Sequence, residues 1–502
     1  MDNSVCRKCL QAGVFALLLS LFPFANSNAY YTTKGQNIVD RTTGDSVVLK
    51  GWGIGGWLLP EGYMWGSNLN CPSKIEPAVI ALIGDTNATE FWRLYHWNWL
   101  SESDVKKMAC WGANSLRIPI NANVIQPRSG QPSKPPFIYD PAGWLILDSL
   151  VQWCNRYQIG IIWDMHGAPG SQNGENISDG SGEQGGAKLW GDTATYWPRC
   201  IDLWFKIADR YKNEKCIIGY DLLNEPLYGG ALLRKLYVRL TDTIRIVDTA
   251  GIIFAEGDNY ATNFSQVTPM NWDKKNHLCV AFHSYPPTGG SGNYGSLRTT
   301  YNIPLWQGET GEQSPANSNA IAACNQANVG WSWWTHKKFN YSTQPWNCPK
   351  TNGFQTILNY WNNGGNKPNA DSAKKWLFDQ AQRTNSSYCT VLQNMVSSLV
   401  PFNPNAVCVT SMEKQPEAPL PVQQAQNFPF TIQRKGAFFT IAMPQIGNNR
   451  VSIIGTNGRV YMSQTVRGDF VYLDSRTVPL GIYAIRIQNG MRDFERRILV
   501  TR

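Results

Sequence analysis

From residue 47 to residue 334 the chain repeats one pattern: a short β-branched run, then a longer stretch with apolar residues at helical spacing. The runs Val47 to Gly51, Ser115 to Ile118, Ile161 to Met165, Ile217 to Leu223, Gly251 to Ala255, Leu278 to Phe282, Ile303 to Gln307 and Gly330 to Trp334 read as strands. Eight strands alternating with helices predict an α/β fold, a closed parallel (β/α)8 barrel of the TIM type with insertions. A doubly wound open sheet is the alternative, but no Gly-rich phosphate fingerprint follows the first run.

The pattern changes at a stretch rich in Pro, Gln and Glu, residues 412–426, which reads as an extended linker. Beyond it the runs Phe438 to Ala442, Val451 to Ile454, Val460 to Ser463, Phe470 to Leu473, Ile482 to Ile487 and Phe494 to Val500 alternate apolar and polar positions. Turn signals such as Asn457-Gly458 and Asn489-Gly490 separate them, predicting a small antiparallel β-sandwich over 427–502. At the other end, Arg7 and Lys8 precede an apolar run from Val14 to Phe24, with small residues Ser27 and Ala29 behind it. Residues 1–29 therefore read as a secretory signal. The run is too short for a membrane anchor, which needs roughly 20 apolar residues. The expected organisation is signal, barrel domain over 30–411, linker and sandwich, in a protein that is secreted, whether free or held at the cell surface.

Composition refines this in two respects. Twelve cysteines include two in the signal, leaving ten for an exported chain, where disulfides are favoured. Their pairing is not legible, and Cys154 and Cys279 sit in apolar runs that suit buried thiols equally well. The net charge of +9 would suit a nucleic-acid partner if it were spread along one face. From Asn427 onward, however, eleven Lys and Arg face four Asp and Glu, a balance of +7, so the barrel is close to neutral. No nucleic-acid partner is expected, and a neutral polysaccharide or oligosaccharide is.

Functional side chains of a barrel gather where its strands end. Those ends carry Arg117, His166, Asn224 with Glu225, His283 with Tyr285, Glu309 and Trp334. Singly, each has a plain structural reading; together, two carboxylates on nonadjacent strands with donors and an aromatic plate suit hydrolysis of an acetal. Glu225 would be the acid/base and Glu309 the nucleophile. Arg117 and Tyr285 would donate to the nucleophile and lower its pKa, while a neighbouring negative charge would raise that of Glu225. Asn224 would donate to a sugar 2-hydroxyl, His166 and His283 would bind hydroxyls or orient the acid/base, and Glu312 reads as a loop charge. Without HExxH or cysteines at ligand spacing, no metal and no cofactor are expected. Of the 21 tryptophans, Trp57, Trp65, Trp97, Trp99, Trp331 and Trp333 are candidates for sugar platforms beside Trp334, and Trp163 and Trp204 read as core.

Over about residues 37 to 385 these motifs resemble glycoside hydrolase family 5, the cellulase family. The resemblance lies in Asn114-Ser115-Leu116-Arg117-Ile118-Pro119, Asp164-Met165-His166-Gly167, Asn224-Glu225-Pro226, His283-Ser284-Tyr285, Gly308-Glu309 and Trp334. It implies a retaining double displacement on β-configured sugars. Two stretches, Gly55 to Glu61 and His166 to Gly174, look more specifically like fungal exo-β-1,3-glucanases, a likeness that implies sugar contact by Glu61 in the first subsite. Pro60, the segment Gly62 to Trp65 and Glu175 depart from that group. The C-terminal segments Thr456 to Val460 and Leu480 to Tyr483 resemble sorting or attachment modules of exported bacterial hydrolases, which implies contact with a cell surface or with secretion machinery.

The expected activity is hydrolysis of β-linked glucans, cellulase-like or β-1,3-glucanase-like. A mannanase or exo-glycosidase specificity is the alternative within enzymes, because specificity resides in loops. A noncatalytic carbohydrate-binding protein is the alternative outside them.

Overall fold

The computed structural model describes residues 29–180, 186–290, 293–311 and 321–399, and C-terminal strands between 431 and 500. The expected signal, apart from Ala29, the linker and Glu312 lie outside the described residues. Among them, no helix is long and apolar enough to cross a membrane.

A hairpin of β1 (Tyr31–Lys34) and β2 (Asn37–Asp40) precedes the barrel. The barrel strands are β3 (Lys50–Gly53), β4 (Ser115–Asn121), β5 (Gly160–Gly167), β6 (Ile217–Asp221), β7 (Ile252–Glu256), β8 (Leu278–His283), β9 (Leu305–Gly311) and β10 (Gly330–Trp334). They close in chain order, β10 pairing with β3, and every pairing is parallel. Each predicted run is thus a barrel strand, displaced by a few residues at most. The run expected from Ile303 begins only at Leu305, because Pro304 has no N–H to give the ladder.

Side chains of a strand alternate between the two faces of the sheet, here lumen and helix layer. Ile162, Ile252, Phe254, Cys279, Ala281 and Trp306 form one apolar cluster with Leu49 and, from the hairpin, Ile38. Their neighbours Ile161, Trp163, Ile253, Ala255, Val280 and Phe282 join the larger cluster shared with the surrounding helices. Following the lumen positions toward the C-terminal strand ends, Ile162 leads to Asp164 and His166, Phe254 to Glu256, and Ala281 to His283. The lumen therefore changes from apolar to ionisable along its own axis.

Helices are entered as their first residues dictate. Asp140 and Asp192 accept from Ala142 and Thr195 backbone N–H groups, capping the helices Pro141–Tyr157 and Thr193–Tyr211, and Pro141 occupies the first position of its helix. After the barrel, β11 (Lys337–Phe339), β12 (Trp346–Cys348) and β13 (Thr390–Val391) make a small sheet tied by the Cys348–Cys389 disulfide. Cys110 is also disulfide-bonded, whereas Cys71, Cys154, Cys200, Cys216, Cys279 and Cys324 are buried free thiols.

The C-terminal strands form two antiparallel sheets. One contains β14 (Thr431–Lys435), β15 (Phe438–Ala442) and β18 (Phe470–Asp474); the other, in order, β17 (Val460–Arg467), β16 (Asn448–Gly455), β19 (Gly481–Asn489) and β20 (Arg492–Val500). Phe439, Ile441, Val471 and Leu473 from the first pack with Val451, Ile453, Ile485 and Ile487 from the second, the core of a two-layer sandwich.

Candidate active site

Arg117 projects from β4 and is surrounded by acceptors from four other strands or their ends. Its Nε donates to Asp221 (2.9 Å), Nη1 to Glu309 (2.5 Å), and Nη2 to Asn224 (2.8 Å) and Glu256 (3.0 Å), with Asp164 at 3.2 Å. A fully buried guanidinium is tolerable only because its positive charge and its donors are met by this ring of oxygens. Each acceptor is in turn fixed in place by Arg117.

Glu309, near the end of β9, receives Arg117 on Oε1 and the Tyr285 hydroxyl on Oε2 at 2.8 Å. Burial alone would raise its pKa, but His283, Arg117, His166 and the Tyr285 hydrogen bond outweigh burial and hold it at about 2. The surrounding cations and the Tyr285 hydroxyl therefore favour the ionised carboxylate of Glu309. Glu225 follows β6 with a positive φ of 44°, an unfavourable conformation for a side-chain-bearing residue. That turn is held by its own N–H donating to Glu256 Oε2 at 2.6 Å, and by Asn173 Nδ2 donating to its carbonyl at 3.1 Å. Its pKa is raised, chiefly by burial, with Glu309 and Glu256 adding to the effect and His283 opposing it. The expected like-charge effect is present, but desolvation is the larger cause.

His283 joins the two carboxylates. Its Nδ1 lies 2.7 Å from Glu225 Oε1 and 3.7 Å from Glu309 Oε2, and its Nε2 lies 3.1 Å from Glu256. Despite its burial, the negative charges of Glu256 and Glu309 push its pKa well above the usual imidazole value. One oxygen of Glu225, one of Glu309 and a ring nitrogen of His283 all lie within 4.8 Å of one another. These are also the described groups close enough to hold a metal ion. Both oxygens of Glu309 and the Nδ1 of His283 are, however, already engaged with protein partners.

The opposite wall is aromatic. Trp334, last in β10, stacks on His166 with centroids 5.3 Å apart and planes 10° off parallel, and its Nε1 donates to the Tyr63 hydroxyl at 2.8 Å. A Cβ on Gly55 would come within 2.8 Å of the Trp334 ring, which is why the chain passes here without a side chain. His166 is oriented by Asp164 at 2.7 Å. Glu61 is buried beside this wall, accepts from Asn176 Nδ2 at 3.2 Å, and has its pKa raised to about 7, first by burial. Lys338, stacked between the Tyr63 and Tyr341 rings, is brought down to about 8 by burial, with Glu61 and Glu309 opposing the shift. Asn224 Nδ2 is buried without a partner, a free donor beside the two carboxylates.

Arg117, His166, Asn224, Glu225, His283, Tyr285 and Glu309 are thus joined by hydrogen bonds or ion pairs, with Trp334 stacked on His166 and Glu61 close enough to His166 and Glu309 for their charges to act on it. The other tryptophan candidates are not platforms. Trp57, Trp65, Trp99, Trp331 and Trp333 are enclosed in the core, Trp65 and Trp99 within a cluster around Tyr95, and Trp97 packs on Trp153. Trp163 and Trp204 are core as expected. Sequence reasoning missed Glu256, Asp164, Asp221, Tyr63 and Lys338. Extending the inward alternation of Ile252 and Phe254 by one step would have found Glu256.

The family model for cellulase, glycosyl hydrolase family 5, matches residues 85–390. The chain belongs to glycosyl hydrolase family 5. Among curated relatives, this family 5 chain is 29% identical over 265 residues to a β-xylosidase of Phanerodontia chrysosporium, covering 52% of this chain and 53% of that one. It is 28% identical over 244 residues to glucan 1,3-β-glucosidase 1 of Schizosaccharomyces pombe (47% and 56%), and 34% identical over 186 residues to glucan 1,3-β-glucosidase of Pichia angusta (35% and 40%). The chain spans about half the length of the curated relatives it matches. A solved β-glucanase of Saccharophagus degradans in complex with cellotetraose is similar at 19% identity and a TM-score of 0.42, covering 66% of this chain and 94% of that one.

Proposed function

We propose that this family 5 chain is a secreted retaining glycoside hydrolase that cleaves β-linked glucans by double displacement. One observation carries the reading: two carboxylates with oxygens within 4.8 Å whose pKa values are driven in opposite directions, Glu309 down to about 2 and Glu225 up. Retention needs carboxyls about 5 to 5.5 Å apart, whereas an inverting water needs roughly 6.5 to 9.5 Å.

Glu309, held ionised by Arg117 and Tyr285, attacks the anomeric carbon while protonated Glu225 gives its proton to the glycosidic oxygen. The leaving sugar departs and a glycosyl ester remains on Glu309. With that charge consumed, Glu225 becomes the base, and water it deprotonates releases the sugar with its original anomeric configuration. Asn224 Nδ2 donates to the sugar 2-hydroxyl, Trp334 stacks on the ring, and Glu61 and His166 bind hydroxyls at the closed side of the cleft. Glu256 acts through His283 and through the Glu225 backbone, positioning the acid/base. The names of two of the curated relatives, both glucan 1,3-β-glucosidases, favour β-1,3-linked glucan over a cellulose-like chain as substrate, while a third is named a β-xylosidase. The C-terminal sandwich serves export or surface attachment.

Incubation with a panel of β-1,3-glucan, cellulose and mannan should release sugar fastest from the first, and NMR of the initial product should show the β anomer. With an aryl β-glycoside, Glu225→Ala plus azide should give a β-glycosyl azide, and Glu309→Ala plus azide the α-azide. The reverse products would exchange the two roles, and no release from any glycan or aryl glycoside would leave a carbohydrate-binding protein.

A further inference from the structure

A second polar cavity, of about 280 Å³, opens beside the segment Ala168 to Gly180 that follows β5. Neither Glu225 nor Glu309, nor any residue assigned above to the sugar, lines it. Its charged lining is Arg128, Lys188, Arg199 and Asp179. Arg128 is offset, because it pairs with Asp179 and lies 3.3 Å from Glu76. Among the described residues, the other two cations meet no carboxylate. Arg199 is 7% exposed, yet its donors meet only neutral oxygens, Gln126 Oε1 at 2.7 Å and the Pro127 carbonyl at 3.3 Å. Lys188 has no carboxylate partner among the described residues.

Burying a guanidinium against neutral acceptors costs free energy unless a counter-charge arrives. Arg199 shows that cost as a pKa pulled below its ordinary value by burial. Ser73 and Ser171 also line the cavity, their hydroxyls bonded within its wall to the Asp179 carbonyl and to Ser178. A buried guanidinium met by neutral oxygens, with the exposed ammonium of Lys188 beside it, suits a single anionic group in a space this small and gives a neutral sugar no use for the charge.

We propose that this cavity binds a small oxyanion, a phosphate or carboxylate group, held by Arg199 and Lys188 apart from the sugar-cleaving site. The segment that walls it accounts for its position. Asn173 and Asn176 reach from that segment to the Glu225 carbonyl and to Glu61, while Ser171 and Asp179 face the cavity. A bound anion braces one wall of the sugar site from behind.

The test is titration of the full chain with inorganic phosphate and, separately, sodium glucuronate, by calorimetry and thermal unfolding against sodium chloride of equal ionic strength. Saturable binding with a rise in Tm beyond the chloride control is expected. Lys188→Ala, at an exposed position, should weaken it tenfold or more, Lys188→Glu should abolish it, and Arg199→Gln should do the same if that buried variant folds. Tighter binding of glucuronate would assign the site to an acidic sugar, and tighter binding of phosphate to the free anion; either supports the proposal. Absence of saturable binding, or equal affinity in Lys188→Glu, would overturn it. Because no glycan is cleaved in the titration, the outcome is independent of the hydrolase reading.

Discussion

Lysine cannot replace a guanidinium that serves five acceptors at once, since a single ammonium reaches one or two of them. Arg117→Lys should therefore reduce kcat/KM by at least about 100-fold, roughly 2.7 kcal/mol of barrier, and it should also move the acid limb of the pH profile. Activity rises with pH as Glu309 ionises, so a nucleophile held at about 2 keeps that limb below the ordinary carboxylate range. The shorter lysine keeps the charge but draws it away from Glu309 Oε1, which raises the pKa and shifts the limb to higher pH. The same depression stabilises the fold: the contribution is complete above the unfolded value of about 4.3 and is lost as pH falls through the folded value. A variant with reduced activity but an unmoved acid limb would show that Arg117 acts only as scaffold. Arg117 was legible because a cation at a barrel strand end has few structural uses. Asp164, Asp221 and Glu256 were not, because each gains its meaning from a partner distant in sequence, 139 positions in the case of Glu256 and Arg117.

Between strand and loop, one side chain carries much of the architecture. Gln172 is completely buried, accepts from Ala168 N–H at 3.1 Å, and donates to the carbonyls of His166 and Asn224, each at 2.7 Å. It ties the ends of β5 and β6 together just below the residues that carry His166 and Glu225. Gln172→Ala would leave three buried backbone groups unpaired. It should destabilise the barrel by about 3 kcal/mol, more if no water enters, and lower kcat more than it raises KM, since Asn224 and Glu225 lose their register. Denaturant unfolding alongside steady-state kinetics checks both, and unchanged stability would mean that the loop repacks around the gap. The strands themselves were legible from β-branched runs, and their ends pointed to the residues that the fold brings together. The tryptophans misled, because a large apolar ring looks the same in sequence whether it stacks on a histidine beside the candidate site, as Trp334 does on His166, or fills the layer between strands and helices, as Trp331 and Trp333 do. Strand β14 was missed because Gln433 and Arg434 interrupt its alternation.

At the scale of the whole molecule, the chain has two kinds of core. The barrel's large cluster and lumen draw on residues before 400, whereas the sandwich packs Phe439, Ile441, Val451, Ile453, Val471, Leu473, Val478, Ile485 and Ile487 upon themselves. The helical periodicity before residue 400 and the two-residue periodicity after 430 made these two sets of core residues legible in the sequence, because each periodicity demands its own buried face. Independence of cores has a functional consequence. Among the described residues, every one assigned to the candidate site lies between Glu61 and Lys338, and the strong positive balance lies beyond Asn427. Ending the chain at Gln426 should leave kcat/KM on a soluble oligosaccharide within about tenfold of the full protein, about 1.4 kcal/mol in barrier, with the thermal unfolding of the barrel retained. Retention of the protein at the cell surface, or its export, should fail in the same truncation, measured as the fraction of activity in the medium, on washed cells and inside them. A truncated chain that folds but turns over substrate far more slowly would place part of the active site's support in the sandwich. One that is exported and distributed like the full chain would remove sorting and attachment as its role.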